Sequence, residues 1–192
     1  MSRRRSSQFN RAKIPQRKRV FIGCEGESEA SYAALLARLA DEEPRLYIHI
    51  DPHILQPGAG DPLEIVRQAI KTIRLIERRR SPYAIRAILL DRGTADKGRQ
   101  AISLAARAGI LLVWQEPDHE AFLLRHLQGW ETRRPPSGTS LRILLQAWTE
   151  YRKPMTTMDL AKRINRRGLR AVAQVEPLLA ELLRSLGFGD EK

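Results

Sequence analysis

The sequence contains one cysteine, few aromatic residues and no long apolar run. Cys24 has no second cysteine with which to form an internal disulfide, which is typical of proteins in a reducing cytoplasm. An aromatic content of 6% argues against a surface made mainly of rings that stack on nucleic-acid bases. Because the chain lacks both a stretch of about 18 apolar residues and the apolar core of a secretory signal, we expect a cytoplasmic protein without a membrane partner. Its 192 residues allow one sizeable core but not two large domains.

Acidic residues are absent from the first 24 positions, which contain eight Lys or Arg residues. This segment supplies +8 of the net charge of +12, so the remaining chain supplies only +4. Strong like charge and little apolar content predict a disordered basic tail over residues 1–17. Arg3, Arg4 and Arg5 in this tail are candidate contacts to nucleic-acid phosphates, since such contacts release counterions. The alternative is a tail that keeps the protein soluble or docks on a partner.

Strand-like and helix-like patterns alternate between residues 18 and 128. Three short apolar runs, at 20–24, 84–90 and 110–115, predict buried strands that lie parallel to one another. A fourth strand is expected at 46–55, where apolar and polar residues alternate and His49 and His53 fall on an exposed or edge strand. The succession predicts an α/β core, a mostly parallel sheet flanked by helices.

The composition changes around residues 129–140, where the sequence ETRRPPSGTS predicts a loop or hinge. Beyond it only helical patterns occur, so residues 129–192 are expected to form a helical C-terminal segment. We expect helices at 141–151, 157–166 and 169–186, and Pro177 should break or kink the last one.

Helix ends can be predicted from capping residues. Ser28 is a plausible N-cap for the first helix, and Asp61 followed by Pro62 is a strong start for the second. We expect a third helix over residues 98–108. Pro117 is expected to open a helix that runs to about residue 130.

Acidic residues follow three of the four predicted strands. Parallel strands place their carboxyl ends at one edge of a sheet, where binding sites form. Carboxylates that converge there repel one another unless a cation lies between them, and oxygen ligands suit Mg²⁺ or Mn²⁺. The alternative is that these acids cap helices, and this is the expected role of Glu29 and Asp118. The acids in question are Glu25, Glu27 and Glu29 after the first strand, Asp91 after the third, and Glu116, Asp118 and Glu120 after the fourth.

Four blocks of the sequence, in order, resemble those of the RloB-like family. They are IGCEGESEASYAALL, GAGDPLEIVRQAI, ILLDRG and WQEPDHEAFLLRHL, which together cover about residues 19–128. The resemblance implies a branch of the Toprim-like fold. It also implies Mg²⁺-dependent nuclease chemistry, often beside an ATPase partner in restriction-linked or phage-defence loci.

The resemblance also implies roles for single residues. Glu25 matches the Toprim glutamate, Asp91 matches the first aspartate of the family's D-x-D motif, and Glu120 and His126 match the acid and the histidine of the fourth block. The sequence departs from the family at Gly93, which stands where the second aspartate of D-x-D is expected. A metal site here is therefore either rearranged or degenerate.

Two functional hypotheses follow. The first is a Mg²⁺-dependent or Mn²⁺-dependent nuclease of a phage-defence system, in which an ordered water attacks the phosphodiester and Arg92 or Lys97 stabilises its charge. The second is a catalytically degenerate nucleic-acid-binding or regulatory subunit of an ATPase-containing defence complex. In the first hypothesis the metal ligands are Glu25, Asp91 and Glu120, with Asp96 or Glu116 completing the shell.

Two further patterns have competing interpretations. A basic stripe in the C-terminal segment is either a solvated helix face or a second contact to nucleic-acid phosphates. Its members are Lys162, Arg163, Arg166, Arg167 and Arg170. Cys24 precedes Glu25 within the first strand, and we interpret it as a small core residue rather than a nucleophile.

Overall fold

The computed structural model describes residues 16–55, 60–91 and 95–189, without the side chains of Ala95 and Asp96. The described strands are β1 (Lys18–Cys24), β2 (Ile48–Ile54), β3 (Ile85–Asp91) and β4 (Leu111–Gln115). The described helices are α1 (Glu27–Asp41), α2 (Pro62–Glu77), α3 (Ala95–Arg107), α4 (His119–Leu124), α5 (Ser140–Ala147), α6 (Thr157–Ala161), α7 (Arg166–Ala173) and α8 (Pro177–Leu186). A short 3-10 helix, Pro44–Leu46, precedes β2.

The four strands form one parallel sheet in the order β2-β1-β3-β4. The register pairs Cys24 with Ile54 on one side and with Leu89 on the other, so β1 and β3 end side by side. The predicted α/β fold and its three buried, mutually parallel strands are therefore confirmed. The strand predicted at 46–55 is confirmed as an edge strand, with His49 exposed.

Successive strand residues face opposite sides of the sheet, and each side has its own apolar layer. Val20, Ile22 and Leu89 contribute to the core beneath α1 and the C-terminal helices. Phe21 and Ile88 contribute to the core beneath α2 and α3. Cys24 is fully buried in the first of these layers, as predicted, and burial raises the pKa of its thiol.

The C-terminal helices complete the core on the α1 side of the sheet. Leu144 of α5, Leu160 of α6, Leu169 of α7 and Leu186 of α8 all join the same apolar cluster as Val20. The helical character expected for the C-terminal segment is therefore observed in its described residues, 129–189, and these helices form a layer of the fold itself.

Several predicted helix bounds were wrong. The first helix is capped at Gly26 rather than Ser28, because the backbone N–H of Gly26 donates to the Glu29 carboxylate at 2.9 Å. The helix expected from Pro117 to about residue 130 is the short α4, whose N-cap is Asp118. Pro177 does break the last predicted helix, since α8 begins there with the proline at its first position, where no N–H is needed.

Candidate carboxylate site at the carboxyl end of the sheet

The sheet has a switch point between β1 and β3. Helix α1, which follows β1, covers one face of the sheet, whereas α2 and α3 cover the other. Where the connections that follow two neighbouring strands go to opposite faces of the sheet, a crevice forms beyond the carboxyl ends of those strands. Ligands usually bind in this crevice in such sheets. Glu25 directly follows β1 and Asp91 is the last residue of β3, so both lie at this point.

Glu25 and Asp91 contact each other. The backbone N–H of Asp91 donates to Glu25 Oε2 at 3.1 Å, and the backbone N–H of Glu25 donates to the Leu89 carbonyl at 3.3 Å. Within the described residues, Asp91 Oδ1 is buried and has no hydrogen-bond partner. The structure therefore brings together the two acids that the sequence placed at adjacent strand ends, and it leaves one buried carboxyl oxygen unsatisfied.

Burial and neighbouring negative charge act strongly on Asp91. Its pKa rises from 3.8 to about 8, first because burial disfavours the charged carboxylate and then because of the charges of other acids. Those acids are Glu29, Glu25, Asp118 and Glu120. Without a bound cation, the Asp91 carboxyl is therefore largely protonated at neutral pH.

Burial also raises the pKa of Glu25, and the charge of Glu29 adds to this effect. The hydrogen bond from the Asp91 backbone and the charge of Lys153 act in the opposite direction but do not cancel it. Both acids at the strand ends thus hold their protons more tightly than exposed carboxyls do, because burial and the charges of neighbouring acids outweigh the charge of Lys153.

Glu120 is ion-paired within the protein. Its Oε1 lies 2.7 Å from the ammonium of Lys153 and 3.4 Å from the Tyr151 hydroxyl, while only 8% of its side chain is exposed. Burial alone would raise the pKa of Glu120, but the hydrogen bond from Lys153 lowers it below its usual value. Likewise, burial would lower the pKa of Lys153, but the bond to Glu120 and the nearby acids raise it.

Sequence reasoning missed Lys153 and Tyr151. Both lie between α5 and α6, about thirty residues after Glu120 and outside the blocks that carry the family resemblance. No local pattern indicates that this connection returns to the sheet edge, because its position depends on how the C-terminal helices pack.

Glu29 and Asp118 cap helices, as predicted. Glu29 accepts from the Gly26 N–H, and Asp118 accepts from the Ala121 N–H at 2.9 Å. Their charges nevertheless reach the site, since both raise the pKa of Asp91. Capping and participation in the acidic cluster are therefore compatible for these residues.

His119 and Gln115 form a buried polar pair beside the acids. His119 Nδ1 lies 3.0 Å from Gln115 Oε1 and 3.6 Å from Glu29 Oε1. Burial lowers the pKa of His119, so the ring is neutral. Its Nδ1 then donates to Gln115, while His119 Nε2 and Gln115 Nε2 have no partner among the described residues.

His126 occupies a different environment from the acids. It links α4 to α1, with Nδ1 2.9 Å from the Phe122 carbonyl and Nε2 2.9 Å from the Tyr32 hydroxyl. Burial lowers its pKa to about 3, and these contacts fix the tautomer in which Nδ1 donates to Phe122 and Nε2 accepts from Tyr32. Its described contacts are therefore those of a core residue.

Lys97 lies at one side of the crevice, bound to Asp61. The two side chains are 2.6 Å apart, and Asp61 also caps α2, as predicted, by accepting from the Leu63 N–H. Next to Asp61 lies Gly60, where an added Cβ would approach Glu25 Oε1 to 3.2 Å. The start of α2 therefore closes the crevice beside Glu25.

Of the other residues predicted for the carboxylate site, Glu116 is described, and the rest lie outside the described residues. Glu116 follows β4, and its charge acts on the buried guanidinium of Arg125. The predictions for Arg92, Gly93 and the Asp96 side chain fall outside the described residues, as do those for Arg3, Arg4 and Arg5. The predicted disordered tail over residues 1–17 also falls outside them, apart from residues 16 and 17.

The predicted basic stripe is partly used for packing. Arg166 contacts Glu43 at 3.0 Å and donates to the Leu39 carbonyl at 2.8 Å, which ties α7 to the end of α1. Arg163 lies 3.5 Å from Glu150, and Arg167 is exposed. A role of these residues in binding nucleic acid stays a prediction.

The donor set suits a hard cation, but it is small. Within residues 16–55, 60–91 and 95–189, no group of three or more His, Cys, Asp or Glu side chains is arranged to hold a metal ion. Glu25 and Asp91 supply carboxylate oxygens, of which the buried Asp91 Oδ1 has no described partner. Mg²⁺ is commonly held by one or two carboxylates together with water and substrate phosphates, so this pair fits Mg²⁺.

Comparisons with models of protein families, with curated proteins and with solved structures found no match. The RloB-like resemblance therefore stays a prediction. Each helix in the described part of the chain is too short or too polar to cross a membrane.

Proposed function

We propose that the chain is a divalent-cation-dependent nuclease whose cation is held by Glu25 and Asp91. One observation supports this above all others. A buried carboxyl with an unsatisfied oxygen lies at the switch point of a parallel sheet, and burial, together with the charges of four more acids, raises its pKa to about 8. Such an arrangement is costly in a folded protein unless a cation neutralises it, and strongly perturbed carboxyls in a crevice are typical of functional sites.

The chemistry of the site agrees with that proposal. A bound Mg²⁺ or Mn²⁺ would neutralise charge on a phosphodiester and acidify a water molecule. Glu25 and Asp91 would hold the cation, and Lys153 keeps Glu120 ionised beside them. Lys97 is adjacent to the crevice and is ion-paired with Asp61. To contact the phosphate, as predicted, Lys97 would have to leave Asp61.

The substrate class follows from charge. The net charge of +12, with its excess in the first 24 residues, favours a polyanion over a neutral or cationic substrate. Together with the RloB-like resemblance, this makes nucleic acid the proposed substrate and a defence-associated ATPase a proposed partner.

A second candidate is a regulatory or nucleic-acid-binding subunit without catalysis. One observation favours it: Lys153 already supplies a cation to Glu120 at 2.7 Å, which leaves two carboxylates rather than three for a metal. This alternative makes a different experimental prediction, since such a subunit binds nucleic acid but does not cleave it.

A combined Mn²⁺-binding and cleavage assay on the full chain tests both candidates. We expect one Mn²⁺ to bind and labelled DNA or RNA to be cleaved, and we expect both activities to be lost in Glu25→Gln and Asp91→Asn. Glu181→Gln removes an exposed acid from α8 and is the matched control. Mn²⁺ binding without cleavage of plasmid, duplex DNA, single-stranded DNA or RNA would favour the second candidate. If Mn²⁺ does not bind, the proposed site is wrong.

The pH dependence of Mn²⁺ binding gives a sharper test. A cation must displace the proton of Asp91, whose pKa is about 8, so binding releases a proton at lower pH. We expect the Kd for Mn²⁺ to fall by up to about tenfold per pH unit between pH 6 and 8 and to level off above that. A calorimetric titration in buffers of different ionisation enthalpy measures the released proton. A Kd that is constant across this range would exclude Asp91 as a ligand.

A further inference from the structure

A cavity of about 330 Å³ lies at the opposite end of the sheet from the acids. It is bordered by Lys18 and Ile48, the first residues of β1 and β2, and by residues of α7 and α8. The seven residues of β1 separate the two ends by about 20 Å, at roughly 3.3 Å per residue. The cavity is therefore a separate site from the carboxylate crevice, and its volume is within the range of small-molecule sites.

The floor of the cavity is aliphatic, with one aromatic ring. Most of its floor residues are buried members of the main apolar core, and the others pack against it. A floor of this kind favours the apolar part of a ligand, because burying apolar surface there is favourable. The floor residues are Leu46, Ile48, Leu169, Leu183, Leu186 and Phe188.

The rim of the cavity is strongly cationic. Among the described lining residues, Lys18, Arg45, Arg166 and Arg170 are positively charged and Glu43 is negatively charged, which gives these residues a net charge of +3. The hydrogen bond from Arg45, with a smaller contribution from Arg166, lowers the pKa of Glu43 to about 2 despite some desolvation. Glu43 thus stays ionised and orients two of the arginines.

Donor capacity remains at the rim. In the described part of the chain, the Lys18 ammonium has no carboxylate within 4 Å, and the buried Arg166 Nε has no acceptor. Arg166 already uses its two terminal nitrogens on Glu43 and on the Leu39 carbonyl. A phosphate group is therefore a better match to this rim than a single carboxylate, because it offers more acceptor oxygens to the donors of Lys18 and Arg166.

We propose that this cavity binds a small molecule in which a phosphate group is attached to an apolar body. The phosphate lies against Lys18 and the rim arginines, and the body lies on the leucine floor. Two sources have this chemistry, a mononucleotide and an alkyl phosphate. The site is independent of the proposed nuclease, since none of its lining residues belongs to the carboxylate crevice.

Chemical shift mapping on the full chain tests the proposal with four probes: AMP, octyl phosphate, inorganic phosphate and adenosine. We expect AMP or octyl phosphate to shift the amides of Leu183, Leu186 and Gly187 with a saturable dependence on concentration. Whichever of the two organophosphates binds more tightly identifies the source. No saturable shift with either of them overturns the proposal, and so does an equal affinity for inorganic phosphate, because the apolar floor would then contribute nothing.

Matched variants distinguish specific binding in the cavity from non-specific attraction of the phosphate to a cationic surface. Lys18→Gln and Arg170→Gln each remove one rim cation, and we expect each to raise the Kd of the better organophosphate about tenfold. Arg167 is an exposed cation on the same helix, α7, but it does not line the cavity. We expect Arg167→Gln to change this Kd less than twofold. Equal effects of Arg167→Gln and Arg170→Gln would overturn the proposal. Mn²⁺ binding to Glu25 and Asp91 should be unchanged in all three variants, so the failure of one site is distinguishable from failure of the other.

Discussion

The two ends of the sheet carry opposite excesses of charge, and they accommodate them differently. At the carboxyl end, five acids act on one another and Lys153 is the described cation among them. At the amino end, four cations surround Glu43 at the rim of a cavity. The acids are attached by short side chains to strand ends and helix starts, whereas Lys and Arg reach solvent on long ones.

This difference explains why the pKa values of acids at the carboxyl end are shifted. A short carboxylate at a buried strand end cannot move to water, so its pKa shifts instead, and Asp91 becomes a proton-binding group near pH 8. The long cations at the amino end place their charged groups at an open rim, where the charge costs less. The buried acids at the carboxyl end therefore lower the stability of the cation-free protein, whereas the exposed cations at the amino end lower it little.

The largest expected effect on stability comes from removing the residue of opposite charge at each end, which is Lys153 at the carboxyl end and Glu43 at the amino end. Lys153→Met leaves Glu120 buried without its cation, and we expect the free energy of unfolding to fall by about 2–3 kcal/mol, since solvent already screens part of the pair. Glu43→Gln at the amino end should have a clearly smaller effect. Urea unfolding in the presence of a chelator measures both.

A surface pair provides the control for the lysine variant. Lys162 and Asp159 are also 2.7 Å apart, but 72% of the Lys162 side chain is exposed. We expect Lys162→Met to leave stability unchanged within error. If Lys153→Met lowers the free energy of unfolding no more than Lys162→Met does, Lys153 does not stabilise the buried Glu120. The proposed difference between the two ends of the sheet would then be wrong.

The parts of the site that could be predicted from the sequence are those fixed by local pattern. Apolar runs located β1, β3 and β4, and the acids that follow them were expected to converge because parallel strands end at one edge. Asp61 and Asp118 were recognisable as caps because short acidic side chains before a helix have that role. By contrast, Lys153 depends on tertiary packing of distant helices, which no local pattern encodes.

The same limit applies to the basic cavity. The stripe that contains Arg166 had two interpretations, a solvated helix face or a contact to nucleic-acid phosphates, since its spacing alone gives no partner. In the structure Arg166 contacts Glu43 and borders the cavity, because α7 packs beside the end of α1. The local pattern had placed Arg166 at the end of a helix over residues 157–166, whereas it begins α7. Long-range packing thus decided the environment of this residue.

Neutralising the perturbed acid should stabilise the cation-free protein. The pKa of Asp91 is raised on folding, so the unfolded chain loses this proton near pH 4 while the folded chain keeps it to about pH 8. The free energy of unfolding should therefore fall between these pH values, and Asp91→Asn should remove that fall. We expect the variant to be more stable by about 2 kcal/mol at pH 8, allowing for partial solvent screening.

Asp41→Asn is the control for this prediction, because Asp41 is exposed at the end of α1 and pairs with Arg17. We expect its stability to differ little from that of the original chain at any pH. Added Mn²⁺ should then stabilise the original chain but not Asp91→Asn, since a ligand stabilises only the state that binds it. An Asp91→Asn variant that is less stable at pH 8 would contradict the assignment of Asp91 as a strained acid.

The smallest expected effect concerns Gly60, which lies beside Glu25 at the carboxyl end. Gly60 has φ +56 and Gly109, after α3, has φ +64, so both adopt the left-handed conformation that favours glycine. Alanine at either position should cost about 1 kcal/mol of unfolding free energy for the same backbone reason. The positions differ in one respect, since a Cβ at Gly60 approaches Glu25 Oε1 to 3.2 Å, whereas a Cβ at Gly109 meets no atom within 4 Å. We therefore expect Gly60→Ala to weaken Mn²⁺ binding several-fold and Gly109→Ala to leave it unchanged. Equal Mn²⁺ affinities in the two variants, measured at equal folded fractions, would show that the Glu25 carboxylate does not hold the cation in the orientation seen here.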